Sequence, residues 1–277
     1  MKNDRNLLAL YGLKYNPFLP DLPNEGLWQP PGWKLFQDRL ESLLAQGGFA
    51  LLWGEPGLGK SKALQLLSLA LERNNGLLVG VMERPQSSLS DFYREMGELF
   101  GVPLSPANRY GGFKALRARW RNHFKDLLLR PVLLIDEAQE MDNYCFCELR
   151  LLGSMRFDSE CLLTAILCGD SRLVDRFRSR ELLSLGTRIR VRHALEPLSR
   201  EDLLDYLRFS LDQAGAPHLL TEPLMLTLAE HCAGNLRILT NMGAELLAVA
   251  VERQLPVLDE SLFLEVYSKT LKPRRRA

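Results

Sequence analysis

The sequence has almost no net charge, and it has few of the features that mark membrane or secreted proteins. In 277 residues, 35 Lys and Arg are balanced by 34 Asp and Glu, giving a formal charge of +1. Affinity for a charged partner must therefore come from local clustering of charge. Apolar stretches such as 244–251 are far shorter than the roughly 20 residues that span a bilayer. The N-terminus also lacks a secretion-signal pattern, and we expect a cytoplasmic protein that contacts no membrane.

The five cysteines do not form a metal-binding pattern. No two of them have the two-residue gap of a thiolate zinc site, and Cys145 and Cys147 have no second pair downstream. The four histidines are scattered along the chain. We interpret the cysteines as buried, reduced thiols.

The character of the sequence changes along the chain, and these changes predict its domains. Residues 1–45 combine many prolines and aromatics, which predicts an ordered strap followed by a short helix from about Gly32 to Ala45. Residues 46–196 alternate apolar runs with helical periods, and residues 197–271 have the helical pattern alone. Residues 272–277, KPRRRA, form a basic tail.

The periodicity predicts an α/β fold with a five-stranded parallel sheet and a C-terminal helical domain. Strands are expected at 49–53, 77–82, 132–135, 162–168 and 189–195. Helices are expected between them at 62–73, 90–100, 112–129 and 145–156, and afterwards at 200–214, 222–232, 236–253 and 260–271. Strands that are apolar throughout and separated by helices are typical of a parallel sheet covered on both faces.

The segment GEPGLGKS fits the phosphate-binding pattern G-x-x-x-x-G-K-[ST], and it lies between a predicted strand and a predicted helix. Its glycines permit a tight turn whose backbone N–H groups face phosphate oxygens, and the helix adds its positive end. The alternative, a glycine-rich turn without a ligand, does not explain this placement. The predicted nucleotide-contacting residues are Gly54, Glu55, Pro56, Gly57, Leu58, Gly59, Lys60, Ser61 and Lys62.

A second chemical signal follows the apolar run Val132–Ile135, where the chain continues with Asp136 and Glu137. A buried strand that ends in two carboxylates places both at the carboxyl edge of a parallel sheet, where such folds bind ligands. Together with the hydroxyl of Ser61, Asp136 is the expected magnesium partner, and Glu137 is the expected base that polarises the attacking water.

Four segments resemble one superfamily: YGLKYNPF (Tyr11–Phe18), GEPGLGKS, LLIDEAQ (Leu133–Gln139) and the sequence from Leu195 to Gly215. They are similar to AAA+ proteins of the initiator-like branch. More narrowly, they resemble a bacterial group that contains ExeA-type secretion ATPases and transposition ATPases of the TnsC, TniB and MuB kind. The resemblance implies a P-loop NTPase core of the ASCE class with a helical lid, and ATP and Mg²⁺ as ligands.

The resemblance also implies roles for single residues. Asp170 would be the polar sensor near the γ-phosphate, although Asn or Thr is more usual there. Arg188 would be an arginine finger that acts on a neighbouring subunit, with Arg178, Arg180 and Arg190 as competitors. Arg237, in Gly234-Asn-Leu-Arg, would be the second sensor, and Pro17 and Phe18 would lie near the adenine.

The stretch from Arg109 to Arg130 concentrates basic residues on a predicted helix. Its apolar residues recur at helical spacing and are expected to face the core: Phe113, Leu116, Trp120, Phe124 and Leu127. The expected contacts to a phosphate backbone are Lys114, Arg117, Arg119 and Arg121. The alternative is a solvated helix face or a contact to an acidic subunit.

These observations favour an ATPase that assembles as a ring or filament on duplex DNA. The resemblance implies that it regulates transposition by recruiting a transposase or an adaptor protein. Two alternatives remain open at this point. One is a soluble ExeA-like ATPase associated with secretion, and the other is a nucleotide-stabilised scaffold with little turnover.

Overall fold

The structure is a computed structural model, and it describes residues 2–85, 88–103, 108–126, 128–157 and 159–268. The chain forms two compact units. An α/β unit contains Pro30–Pro56 and Lys60–Leu195, and a helical unit contains the chain up to Gln29, the turn Gly57–Gly59 and the chain from Glu196 onward. The basic tail at 272–277 lies outside the described residues.

The α/β unit alternates strands and helices, as the sequence predicts. Its elements follow α1 (Lys2–Tyr11) in the chain and are α2 (Trp33–Gln46), β1 (Gly48–Gly54), α3 (Lys60–Glu72), β2 (Leu77–Met82), α4 (Leu89–Leu99), α5 (Arg109–Asp126), β3 (Arg130–Ile135), α6 (Asn143–Gly153), β4 (Ser154–Met155), β5 (Glu160–Cys161), β6 (Thr164–Gly169), α7 (Ser171–Arg176), α8 (Leu183–Gly186) and β7 (Ile189–Leu195).

Five of these strands form a parallel sheet in the order β2-β3-β6-β1-β7. The predicted five-stranded sheet is confirmed. In the register of the sheet, Leu52 of β1 lies opposite Cys168 of β6, and Leu167 lies opposite Ile135 of β3. Because all strands run the same way, the segments that follow β1, β3 and β6 leave the sheet at one edge.

Helices cover both faces of the sheet. Leu51 and Leu52 point to opposite faces, and both are fully buried. On one face, α4, α5 and α6 supply Phe92, Trp120 and Phe146 to the core. Helix α2 contacts β1 and β7, and helix α3 contacts β1, β2 and β6. This burial explains why the strands are apolar at every position rather than at alternate ones.

The two-stranded hairpin of β4 and β5 was not predicted. Each strand has only two residues, paired as Ser154 with Cys161 and Met155 with Glu160, which is too short for a periodic signal. Helix α5 also begins and ends three residues before its predicted bounds. The expectation that Phe124 faces the core is wrong, because its side chain is 42% exposed. Leu127 lies outside the described residues.

The helical unit consists of α1 and four C-terminal helices, α9 (Arg200–Ala214), α10 (Glu222–His231), α11 (Leu236–Glu252) and α12 (Glu260–Ser268). The starts of α9, α10 and α11 are capped by Ser199, Thr221 and Asn235, whose side chains accept backbone N–H bonds. Ser199 and Asp202 form a complete capping box. Three of the four predicted helices, α9, α10 and α11, therefore begin directly after their capping residues.

The N-terminal segment packs within the helical unit. Lys14 N donates to Ala214 O at 2.9 Å, the hydroxyl of Tyr11 donates to Leu255 O at 2.8 Å, and Trp28 packs edge-on against Tyr206. Helix α1 was not expected; the prolines that argued against a helix begin only at Pro17. The predicted strap is divided, because α2 belongs to the α/β unit.

Candidate nucleotide-binding site

The phosphate loop connects the carboxyl end of β1 to the amino end of α3. Gly57 and Gly59 have φ values of 89° and 88°, in the left-handed region that favours glycine. The side chain of Lys60 is almost buried, with 7% exposed. Its Nζ donates to Gly54 O at 2.9 Å and to Glu55 O at 3.2 Å. The ammonium group is thus held against the backbone of the loop, where P-loop proteins bind phosphate.

The turn Gly57–Gly59 also contacts the start of α11 in the helical unit. The backbone N–H of Arg237 donates to Gly57 O at 3.1 Å, and a Cβ at Gly57 would overlap the side-chain amide of Asn235. Asn235 in turn caps α11 by accepting from the N–H groups of Arg237 and Ile238. Gly57 is therefore required both by its backbone conformation and by this close approach. The side chain of Arg237 is exposed.

Three charged residues predicted for catalysis or binding influence the thiol of Cys168 near the end of β6. Cys168 is fully buried. Burial is the main cause that raises the pKa of this thiol, and the hydrogen-bonded carboxylate of Asp136 raises it further. Lys60 acts in the opposite direction, and Glu137 adds a smaller upward effect. Because such charge effects fall off with distance, Lys60, Asp136 and Glu137 lie at one edge of the sheet.

Glu137 has a backbone conformation that is rare for its residue type. Its φ and ψ are 47° and 38°, in the left-handed region, and its backbone N–H donates to Asp136 Oδ1 at 2.9 Å. Non-glycine residues with this conformation cluster at functional sites. The carboxylate of Glu137 is exposed, apart from one hydrogen bond that it accepts from Nε2 of Gln139.

Gln139 connects the two carboxylate-bearing strand ends, and no role was predicted for it. Its side chain is 7% exposed. While Nε2 donates to Glu137, Oε1 accepts the backbone N–H of Asp170 at 3.1 Å. A Cβ at Gly169 would overlap Oε1 of Gln139, so that glycine makes room for the amide. The signal in the sequence was an amide two residues after the Asp-Glu pair, but only the structure shows what it contacts.

Asp170 follows β6, as predicted, and caps α7. Its Oδ1 accepts from Arg172 N at 3.0 Å and its Oδ2 from Arg172 Nε at 2.8 Å. Arg172 also donates to Glu140 at 2.8 Å. The carboxylate is therefore paired with an arginine, which would reduce its repulsion of a γ-phosphate. Its role as a sensor stays a prediction.

The four candidate arginine fingers have different surroundings. Arg188 immediately precedes β7 and donates to Ser184 O, at the amino edge of the sheet rather than at the edge of the phosphate loop. The role of Arg188 as an arginine finger for a neighbouring subunit stays a prediction. Arg190 donates to Gln46 at 3.0 Å, Arg178 pairs with Asp175, and Arg180 is exposed.

The two residues predicted near the adenine are buried within the helical unit. Phe18 is 3% exposed, and a Cβ at Gly243 of α11 would overlap its ring. Phe18 N donates to Oδ1 of Asn16 at 3.0 Å. This packing accounts for the burial of Phe18, and the contact of Pro17 and Phe18 with a base stays a prediction.

The basic residues of α5 divide into two groups. Lys114, Arg119 and Arg121 are exposed. Arg117 instead donates to Leu151 O at 2.8 Å and Ser154 O at 2.6 Å, and burial lowers its pKa. Since its guanidinium joins α5 to the end of α6, we do not retain Arg117 as a DNA contact. Lys62, predicted to contact nucleotide, donates to Gln65 at 3.1 Å.

The oxygen atoms at this edge fit a magnesium ion better than a transition metal. Ser61 is exposed in the first turn of α3, and Asp136 follows β3. Among the described residues, no three His, Cys, Asp or Glu side chains form a metal-binding group. Magnesium is usually held by one or two protein oxygens together with substrate phosphates, so a sparse set of ligands is what it requires. All five cysteines are free thiols.

The structure has the P-loop AAA+ fold, with a parallel sheet in this order, a phosphate loop after β1 and an Asp-Glu pair after β3. Residues 44–177 match the family described as "AAA domain". The General secretion pathway protein A of Aeromonas hydrophila is 31% identical over 199 residues, which are 71% of this chain and 36% of that protein. The chain thus spans about a third of that relative.

Solved structures support the same fold. Cdc6p from Pyrobaculum aerophilum has a TM-score of 0.67 at 15% identity, covering 87% of this chain and 67% of that one. The Aeropyrum pernix ORC1 protein in complex with DNA has a TM-score of 0.66 at 19% identity, covering 92% and 68%. Domain III of Thermotoga maritima DnaA has a TM-score of 0.60 at 18% identity, covering 92% and 99%. At these identities the likeness concerns the fold alone.

None of the helices in the described ranges is both long enough and apolar enough to span a bilayer.

Proposed function

We propose that this protein binds and hydrolyses ATP, assembles on duplex DNA in its ATP-bound form and regulates transposition by recruiting a transposase or an adaptor protein. The observation that carries the ATPase proposal is the position of Lys60 after β1 and of Asp136 and Glu137 after β3, at one edge of the parallel sheet, with the carboxylate of Glu137 held by Gln139. Hydrolysis would switch the assembly off rather than make a product of its own.

The residues of the site divide the chemistry between them. The N–H groups of the loop and Lys60 bind phosphate oxygens, and Glu137 orients and polarises the attacking water. Ser61 and Asp136 would hold Mg²⁺, which adds positive charge beside the phosphates. Asp170 would sense the γ-phosphate, and Arg237 would contact the nucleotide from the helical unit. Arg188 would complete the site of a neighbouring subunit.

The DNA part of the proposal is supported by α5. Lys114, Arg119 and Arg121 are exposed on one helix of a protein whose total charge is +1. Such a local cluster suits sequence-independent contacts to phosphates. Two proteins of the same fold have been solved bound to DNA, the Aeropyrum pernix ORC1 protein and Drosophila ORC. The transposition role rests on the resemblance of the sequence motifs.

A secretion-associated ATPase is a second candidate. It is favoured by the 31% identity to a general secretion pathway protein. The two candidates differ in their response to DNA. Duplex DNA should stimulate turnover and promote ATP-dependent assembly in a transposition regulator, whereas a secretion ATPase should respond to neither. A nucleotide-stabilised scaffold would bind ATP and show little turnover under either condition.

The decisive experiment measures ATP binding and turnover with and without duplex DNA in matched variants. Lys60→Ala should lose ATP binding, with exposed Lys34→Ala as its control. Glu137→Gln should bind ATP normally and turn it over about 100-fold more slowly or worse, with exposed Glu98→Gln as its control. Equal turnover by Glu137→Gln and wild type would remove Glu137 as the base. Wild type that does not bind DNA at low salt would remove the DNA-dependent role.

A further inference from the structure

A cavity of about 190 Å³ lies at the amino edge of the sheet, where β1 and β7 begin. Its lining includes Gly47, Gly48 and Arg190. Strand β1 runs for seven residues from this cavity to Gly54 of the phosphate loop. At about 3.3 Å per residue, the two regions are separated by roughly 20 Å. The cavity is therefore distinct from the nucleotide site.

Three arginines from two parts of the chain line this cavity. Arg150 lies in the last turn of α6, Arg188 precedes β7, and Arg190 is the second residue of β7. Like charges at one place repel unless a counter-charge or a ligand offsets them. Among the described lining residues the only carboxylate is that of Glu160. It already pairs with Arg156 at 2.5 Å.

Two of these arginines retain hydrogen-bonding capacity. Nε of Arg150 is buried and has no hydrogen-bond partner among the described residues. Buried donors in folded proteins nearly always have a partner, so an unsatisfied one needs an explanation. Arg190 is exposed, and it donates to the amide oxygen of Gln46 at 3.0 Å, which is a neutral partner.

The backbone keeps the cavity open on its other side. Gly47 and Gly48 form the entry to β1 with φ values of 76° and 141°. A Cβ at Gly47 would lie 2.6 Å from Cys161 O, so a side chain is excluded there. Arg150 lines the cavity together with residues of the hairpin of β4 and β5. Among the described residues, none of them supplies an acceptor for its buried Nε.

We propose that this cavity binds a phosphate group through Arg150 and Arg190. Guanidinium groups bind phosphate with paired, charge-assisted hydrogen bonds, and a doubly charged anion offsets the repulsion between neighbouring arginines. The volume has room for a phosphate together with water. This site goes beyond the nucleotide function proposed above and does not depend on the role of Arg188. The proposed occupant is the free phosphate anion.

The test is made in the Lys60→Ala variant, which removes phosphate binding at the loop. Inorganic phosphate is titrated by calorimetry at constant ionic strength, with chloride as the reference anion. Lys60→Ala should still bind phosphate. Adding Arg150→Gln or Arg190→Gln should weaken that binding about tenfold or more, since each removes a charge-assisted hydrogen bond. Adding Arg94→Gln, an exposed arginine of α4, should change nothing.

Two results would overturn the proposal: no phosphate binding in Lys60→Ala, or binding that Arg150→Gln and Arg190→Gln leave unchanged. If a glutamine variant does not fold, Arg150→Lys and Arg190→Lys preserve the charge and the stem but lose the paired geometry. They should still weaken binding in a protein with a normal melting temperature. Because every variant carries Lys60→Ala, the outcome is independent of whether the wild type hydrolyses ATP.

Sedimentation velocity of Lys60→Ala tests whether a second copy of the chain competes for the cavity. A site that takes the free anion should give the same sedimentation coefficient at all protein concentrations, with and without phosphate. Association that inorganic phosphate reverses would show that a group of a second copy fills the cavity, and it would overturn the assignment to the free anion.

Discussion

Gln139 shows how one buried amide fixes a catalytic side chain. Its two ends bond to the carboxylate of Glu137 and to the backbone N–H of Asp170, so it joins the ends of β3 and β6. An amide has both a donor and an acceptor, and this position uses both. A carboxylate here would repel Glu137, and an aliphatic side chain would leave both partners unbonded. In the proposed mechanism Gln139 is a positioning residue that acts through Glu137.

We therefore expect Gln139→Leu to lower kcat for ATP by about 10- to 100-fold, because a loosely held base is misplaced relative to the water. KM for ATP should change little, since the phosphate loop is untouched. Steady-state kinetics measure both constants. Gln213→Leu, at a partly exposed position of α9, is the matched control. A rise in KM with an unchanged kcat would show that Gln139 does not position the base.

His123 is a second residue whose surroundings have a measurable consequence. It is 5% exposed, and Nδ1 has no partner among the described residues. Burial, with a smaller effect from Arg119, lowers its pKa below the ordinary value of 6.5. The folded protein thus binds this proton less readily than the unfolded chain. As the pH falls below about 6.5, protonation of the unfolded state reduces the stability of the fold.

Replacing His123 by Leu should remove this dependence. Relative to wild type, His123→Leu should gain unfolding free energy as the pH falls from 7.5 to 5.5, by up to about 1.4 kcal/mol per pH unit below 6.5. Urea denaturation at several pH values measures it. His218→Leu changes an exposed histidine and should follow the wild-type curve. A constant difference between His123→Leu and wild type at every pH would contradict the lowered pKa.

At the scale of elements, α5 is held by its own basic residues. Arg109 pairs with Glu148, whose side chain is 3% exposed and also accepts the Tyr93 hydroxyl at 2.5 Å. Burial and the contact with Glu148 raise the pKa of Tyr93, and Arg109 offsets part of this effect. Arg117 binds the carbonyls at the end of α6. Two of the arginines that the sequence places in one basic cluster therefore attach the helix to the core, whereas Lys114, Arg119 and Arg121 are exposed.

This division gives a prediction for DNA binding by α5. Replacing Lys114, Arg119 and Arg121 by Ala should weaken duplex binding and reduce the slope of log K against log salt by about 2 to 3. A control that replaces Lys34, Arg94 and Arg178 removes the same charge from other exposed positions and should keep the slope. Fluorescence anisotropy over a range of salt concentrations measures both. Equal slopes for the two triple variants would place the DNA surface elsewhere.

The same helix shows where the sequence was sufficient and where it was not. The strands were predictable because each is buried on both faces, so Val132–Ile135 is apolar at every position. The helices of the second half were predictable because residues such as Ser199 and Asn235 cap them. The partners of Arg117 were not, since Leu151 and Ser154 lie 34 and 37 residues away. Periodicity reports which face is apolar, but not which polar contacts form across that distance.

At the scale of the whole molecule, the sequence defines a loop motif that the structure divides between two compact units. Gly54 and Lys60 belong to the α/β unit, and Gly57–Gly59 belong to the helical unit. The motif predicted a nucleotide site, but no local pattern indicated that Asn235 would limit the side chain at Gly57. Gly57 and Asn235 are 178 positions apart in the sequence, and no periodic pattern indicates a contact over that distance.

The proposed assembly makes a prediction that only a multimer can satisfy. If Arg188 acts on the ATP of a neighbouring subunit, each site needs Lys60 from one chain and Arg188 from another. Lys60→Ala and Arg188→Ala should each be inactive alone. An equimolar mixture should recover about a quarter of wild-type turnover, because random assembly gives an intact pair at one site in four. The measurement is ATP turnover against the mixing ratio.

The control is an equimolar mixture of chains that carry Lys60→Ala and chains that carry Glu137→Gln. Both changes affect the same chain's own site, so a subunit that carries intact Lys60 always carries the defective Glu137, and no mixed site is complete. This mixture should stay inactive although it contains the same number of assembled subunits. Recovery in the Arg188 mixture alone therefore identifies a residue supplied in trans. If neither mixture recovers turnover while sedimentation shows mixed assemblies, Arg188 does not act across the subunit boundary, and Arg178 and Arg180 become the next candidates.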